Sequence, residues 1–229
     1  MARLVLWDID GTLVRTGDIG SEVFDRALEA VLGRAPGRRI RMGGKTDPQI
    51  VAEYLALMGV DGADHHLPAV LANLEAQLSS AAHLIAQRGH PLPGVREVLA
   101  RVASGEGVLQ SVLTGNIAPN AVVKLAAFGL DAWLDLEVGA YGSDHADRRA
   151  LVPVALERVR RLRGVTPSPE EVWVVGDTAA DLACARAGGV RCLLVGTGRT
   201  PVGDLAALGA DATLPDLADV EAVAELLAG

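Results

Sequence analysis

The sequence predicts an α/β fold: a doubly wound parallel sheet with an inserted all-α domain. Three observations predict it. Short apolar runs rich in β-branched residues recur along the chain, most without the alternation of a half-exposed sheet. Segments of helical period separate most of them, as right-handed βαβ units require. From about residue 14 to residue 90 that rhythm stops, and only helical patterns remain.

Residues 4–7, Leu-Val-Leu-Trp, form the first strand. A helix is expected over 22–32, with Gly33 as its terminator. The next covers 48–58, where Asp47 serves as N-cap, Pro48 as first helical residue and Gly59 lies beyond the end. Residues 67–87 carry apolar side chains at Leu67, Val70, Leu71, Leu74, Leu78 and Leu84–Ile85, close to a 3.6-residue period. The Gly- and Pro-rich stretch 89–94 is a stiff connector. Beyond it, helices are expected over 95–103, 118–128, 149–163 and 179–187, and strands over 108–113, 134–138, 172–175 and 191–195. The layout divides the chain into a core, 1–15 with 91–229, and a helical cap, 16–90. A two-stranded hinge near 12–16 and 90–93 would join them.

Composition narrows the functions available. Half of the 229 residues are hydrophobic, enough for a core. The net charge of −8 disfavours a protein that grips nucleic acid, which needs clustered Lys and Arg. Aromatics at 3% remove the stacking platforms of single-strand binders. Cys184 and Cys192 are too few for a disulfide framework and suit a reducing cytosol. No run reaches the roughly 18 apolar residues of a membrane span, and Asp8 cuts the N-terminal run short of a secretory signal. A cytoplasmic protein without nucleic-acid or membrane partners is expected.

Ligands of open parallel sheets sit at the carboxyl ends of the strands, where strand order reverses. There the first strand delivers Asp8-Ile9-Asp10-Gly11-Thr12, the second Thr114-Gly115-Asn116, and the fourth Gly176-Asp177, with Asp181 beyond. Alternate residues of a strand share a face, so Ile9 packs inward while Asp8 and Asp10 can address one group. Clustered carboxylates repel, and a cation is the expected relief. All-oxygen ligands select a hard ion such as Mg²⁺, which commonly bridges to substrate phosphate.

These motifs, DxDGT after an N-terminal strand, a strand-terminal Thr and a final GDxxxD, resemble the haloacid dehalogenase-like phosphatases, in the phosphoglycolate phosphatase-like branch with an α-helical cap. The resemblance runs from Leu4 to about Leu214 and implies a Rossmann-like core. It further implies Asp8 as the nucleophile that forms an aspartyl-phosphate, and Asp10 as the acid and base that serves the leaving alkoxide and the hydrolytic water. Mg²⁺ would be held by Asp8, the Asp10 backbone carbonyl and Asp177, with Asp181 binding directly or through water. Thr114 would donate to a phosphate oxygen, helped by the backbone N–H groups of Gly115 and Asn116. Gly11 lets the chain turn beside the phosphate, and Thr12 braces that turn.

One motif departs. Where the family usually carries a Lys, this chain offers Arg148 and Arg149. Arginine can neutralise developing charge and can bond a phosphate through two N–H groups, and the role is assigned to Arg148, with Arg149 the alternative. Gly43-Gly44-Lys45-Thr46 resembles a Walker loop, but Arg39 stands where its first Gly is required. The better reading is a cap turn that reaches toward the substrate, with Lys45 as a binding residue. The expected function is a Mg²⁺-dependent phosphatase of a small phosphorylated metabolite. The alternatives are a phosphosugar mutase, a dehalogenase (which has no use for Asp10), a phosphonate-cleaving relative using Lys45, a catalytically spent homologue, and a phosphate-accepting receiver module.

Overall fold

A computed structural model describes residues 3–229. The chain runs β1 (Arg3–Trp7), β2 (Val14–Arg15), α1 (Ile19–Leu32), α2 (Asp47–Leu57), α3 (Ala63–Ser80), α4 (Ala82–Arg88) and β3 (His90–Pro91). It continues α5 (Val95–Ala103), β4 (Val108–Val112), α6 (Ala118–Ala126), α7 (Leu151–Arg163), β5 (Val172–Gly176) and α8 (Ala179–Gly188). The last elements are β6 (Arg191–Val195), α9 (Val202–Ala206), β7 (Ala212–Leu214) and α10 (Val220–Ala228).

Five strands form one parallel sheet in the order β4-β1-β5-β6-β7. Both faces are covered, which is why the strands read as continuous apolar runs. Val5 and Trp7 of β1, with Trp173 and Val175 of β5, pack toward α5, α6 and α10; Leu4, Leu6, Val172 and Val174 pack toward α7 and α8. A third core joins α1–α4 through Phe24, Ile50, Tyr54, Leu74 and Ile85, and Val123 of α6 and Ala127, which caps that helix, lie against it. Strands β2 and β3 pair antiparallel, Arg15 opposite His90, so the two connections to the helical layer run side by side as expected. No described helix is long and apolar enough to cross a membrane.

The structure corrects several element assignments. Residues 134–138 are not a strand. The segment follows a 3₁₀ turn at Asp131–Trp133, meets the sheet edge where the Asp135 N–H donates to Gln110 O (2.8 Å), then curls as the Val138 N–H turns back to Asp135 O. The expected helix over 67–87 begins earlier and is two helices: at Ala81 the N–H is shared between the Gln77 and Leu78 carbonyls and α3 ends. The N-cap of α2 is Thr46 rather than Asp47, in a capping box with Gln49. Strand β7 and helices α9 and α10 were not expected.

Candidate active site

Strand β1 is flanked by β4 and β5, the strands that follow it in the sheet topology, so strand order reverses at β1 and a crevice opens above its carboxyl end. Ile9 is buried in the core as its position demands, and the acids on either side of it meet different partners. Arg148 Nη2 donates to Asp8 Oδ1 (2.7 Å) and to Asp181 Oδ1 (2.5 Å), all three residues being buried. Asp10 is instead held by Lys124 and by the Asn116 side-chain amide.

Oxygens of Asp8, Asp177 and Asp181 lie within 4.8 Å of one another. Burial, with their acidic neighbours, raises the pKa of both Asp8 and Asp177. Burial works to lower that of Arg148, but the carboxylates of Asp181 and Asp8 outweigh it and hold the guanidinium charged. Three clustered carboxylates sharing one guanidinium leave negative charge unbalanced. The donor set is all oxygen and buried, and it fits a hard dication. The Asp10 carboxylate is not in this cluster.

Local structure explains these placements. Gly11 has φ 92°, and a Cβ there would lie 2.7 Å from Asp177 Oδ2, so only glycine lets the turn pass this close. Thr12 is buried and its hydroxyl faces Asp177 Oδ1 at 3.4 Å; it braces that carboxylate rather than the turn alone. Asp181 has two tasks. Its Oδ2 accepts from the Thr178 N–H and hydroxyl at the start of α8, which leaves Oδ1 for Arg148. Arg149 points outward and, among the described residues, pairs only with Asp147, so position 148 is the buried one.

Thr114 is buried, and its Oγ1 accepts from the Asn116 backbone N–H (3.3 Å) and side-chain amide (2.8 Å). That leaves its hydroxyl proton free to donate to a ligand. The Asn116 N–H, expected to face phosphate, is thus directed at Thr114, and the Asn116 side chain bridges to Asp10. Gly115 serves a close approach: a Cβ there would lie 2.1 Å from Lys45 O. The turn at 43–46 does reach down onto the core, where Asp47 N–H donates to Gly115 O (2.7 Å) and the Thr46 hydroxyl to Ala146 O (2.7 Å). The Lys45 ammonium pairs with Glu53 of α2, and the residue lines the crevice.

Sequence reasoning missed two residues here. Lys124 sits on the buried stripe of α6 with Asn120, Ala121 and Leu125, and a lysine at that helical spacing was the available signal. Asp47, read as a helix cap, sends its carboxylate across to the N–H of Ile117 (2.8 Å), the N-cap residue of α6. Burial raises its pKa to about 6, with Lys124 opposing. The crevice, of about 200 Å³, is lined from both layers, including Phe24, Met42 and Ile50 beside Asp8, Asp10 and Thr114.

Comparison with known proteins agrees with this geometry. The family model for haloacid dehalogenase-like hydrolases matches residues 5–186. The chain is 29% identical over 205 residues to a phosphoglycolate phosphatase of Pseudomonas putida, covering 84% of this chain and 69% of that one. It is 28% identical to protein CbbY of Rhodobacter capsulatus over 98% of both. The structure of CbbY from Rhodobacter sphaeroides superposes with a TM-score of 0.71 at 20% identity, covering 96% of each chain. With its fold, its ordered motifs and the acids they assemble at the sheet's reversal point, the chain belongs to the haloacid dehalogenase-like hydrolase family.

Proposed function

We propose that the protein is a Mg²⁺-dependent phosphatase that hydrolyses a small phosphorylated metabolite through an aspartyl-phosphate on Asp8. The observation that carries this reading is the buried Asp8–Asp177–Asp181 cluster joined to Arg148 beside Thr114 and Asp10. Asp8, Asp177 and Asp181, with the Asp10 carbonyl, would hold the ion. Bound there, Mg²⁺ supplies positive charge that offsets the carboxylates and the phosphoryl oxygens.

In the first half-reaction an Asp8 oxygen bonds to phosphorus as the ester P–O bond breaks, and Asp10 gives its proton to the departing alkoxide. In the second, Asp10 takes a proton from water as the water oxygen bonds to phosphorus, and the acyl-phosphate P–O bond breaks to restore Asp8 and release inorganic phosphate. Thr114 and Arg148 steady the phosphoryl oxygens. The helical layer, which we take as a cap spanning 16–90 over a core of 1–15 and 91–229, supplies Phe24, Met42, Lys45 and Ile50 to the far wall and so selects the alcohol. Phosphoglycolate is the first substrate to try, because the relative from Pseudomonas putida is named for it. Two buried free cysteines accord with a cytoplasmic setting.

Steady-state phosphate release from p-nitrophenyl phosphate and from phosphoglycolate, with Mg²⁺ present, tests the reading. Many equivalents per chain are expected, with loss of release on chelation. Asp8→Asn is expected to abolish turnover while its circular dichroism spectrum stays that of the wild type. A single equivalent would mean a receiver module, and full activity in Asp8→Asn would remove the nucleophile.

A further inference from the structure

Only two of the chain's 21 basic residues are lysines, Lys45 and Lys124, and both line the crevice. Everywhere else the sequence uses arginine. Lys124 has its side chain 8% exposed, and its ammonium donates to Asp10 Oδ2 (2.6 Å) and to Asn116 Oδ1 (2.6 Å). The Asn116 amide donates in turn to the same Asp10 Oδ2 (2.8 Å) and to Thr114 Oγ1 (2.8 Å).

Lys124, Asp10 and Asn116 therefore close a ring of three hydrogen bonds, with Thr114 attached to it. A buried ammonium is costly unless paired, and this ring pairs it. The compact ammonium carries three rotatable donors, two of which these acceptors take.

The ring treats the two Asp10 oxygens unequally. Oδ2 receives two donors, while Oδ1 receives none among the described residues. From this juxtaposition we propose that Lys124 is a positioning residue: with Asn116 it pins Asp10 through Oδ2, so that Oδ1 is the oxygen that carries the proton to the leaving group. The proposal rests on the phosphatase reading above. Without Lys124 the Asp10 side chain keeps one weaker restraint, the neutral Asn116 amide. Proton delivery then suffers, whereas attack by Asp8, held separately by Arg148, does not.

The test compares two esters that differ in their need for a proton. p-Nitrophenolate leaves without one, and the alkoxide of phosphoglycolate does not. In Lys124→Met, the first-turnover rate of alcohol release from phosphoglycolate, read by rapid quench, is expected to fall on the order of 10²-fold, the lower range of general acid–base effects, with less than about a threefold change in the first-turnover release of p-nitrophenol; the later water-activating step, common to both esters, does not enter these rates. Lys124→Gln, which keeps a hydrogen-bond donor, is the second variant should methionine impair folding, and the same contrast is expected of it. Equal fractional losses on both esters, or no loss on either, overturn the role of Lys124 and leave the phosphatase reading standing. Turnover of neither ester by the wild type overturns both.

Discussion

One nitrogen of Arg148 bridges two buried carboxylates, while its neighbour Arg149 stands with 67% of its side chain exposed and pairs with Asp147. The energetic consequence of losing each is therefore unequal. Removing one partner of a buried ion pair costs about 3–5 kcal/mol, because the other charge is left uncompensated, whereas an exposed pair is worth about 0–1 kcal/mol. Arg148→Ala is expected to lower unfolding stability by about 3 kcal/mol in chelator and to depress turnover in Mg²⁺. Arg149→Ala is expected to change the urea midpoint hardly at all, and equal shifts in the two variants would contradict the placement. Asp8, Asp177 and Asp181 were legible because their spacing after strands is a covalent property of the chain. Arg148 could be placed by charge and order. The partners of Asp10 could not, because Lys124 reaches it from a helix more than a hundred residues further along the chain.

Between elements, the turn before α2 is hydrogen-bonded to the start of α6. The Asp47 carboxylate accepts from Ile117 N–H there, in a buried position that lifts its pKa from 3.8 to about 6. The folded protein thus holds that proton more tightly than the unfolded chain does. Stability from this group is greatest in acid and is lost as pH rises through about 6. A gap of about two units corresponds to ~3 kcal/mol. Asp47→Asn keeps an oxygen for Ile117 and removes the charge. In urea titrations it is expected to be more stable than wild type by about 2 kcal/mol at pH 8, the gain shrinking to nothing near pH 4. A gain independent of pH would show that charge is not the cause. Strands covered on both faces were readable as elements because they have no polar side. The 134–138 segment misled for the opposite reason: its alternating acids look like a strand's outer face, yet Arg163 gathers both Asp135 and Glu137 at the surface. Strand β7, with three half-buried residues, is too short to show any period.

For the molecule as a whole, the order β4-β1-β5-β6-β7 means that the sheet never needs the helices between β2 and β3 to complete its hydrogen bonding. Both sheet faces have their own cores, and the helical layer has a third. The α/β class and the helical interruption were therefore visible in the sequence as two separate periodicities. What the sequence could not show is how closely the layers approach, since that depends on Lys45 O lying over Gly115, a contact across 70 positions. Arg15 and His90 are direct antiparallel partners, and such partners lie about 5 Å apart, a gap that a two-residue turn spans. A chain in which Asn-Gly replaces residues 16–89, with polar residues at Val123, Ala127 and Phe128, is expected to unfold cooperatively on heating. A gradual, non-cooperative melt would show that the remainder cannot stand alone. Because departure and return share one seam, the intervening segment behaves like a cassette: lengthening, shortening or exchanging it leaves the register of the parallel sheet untouched.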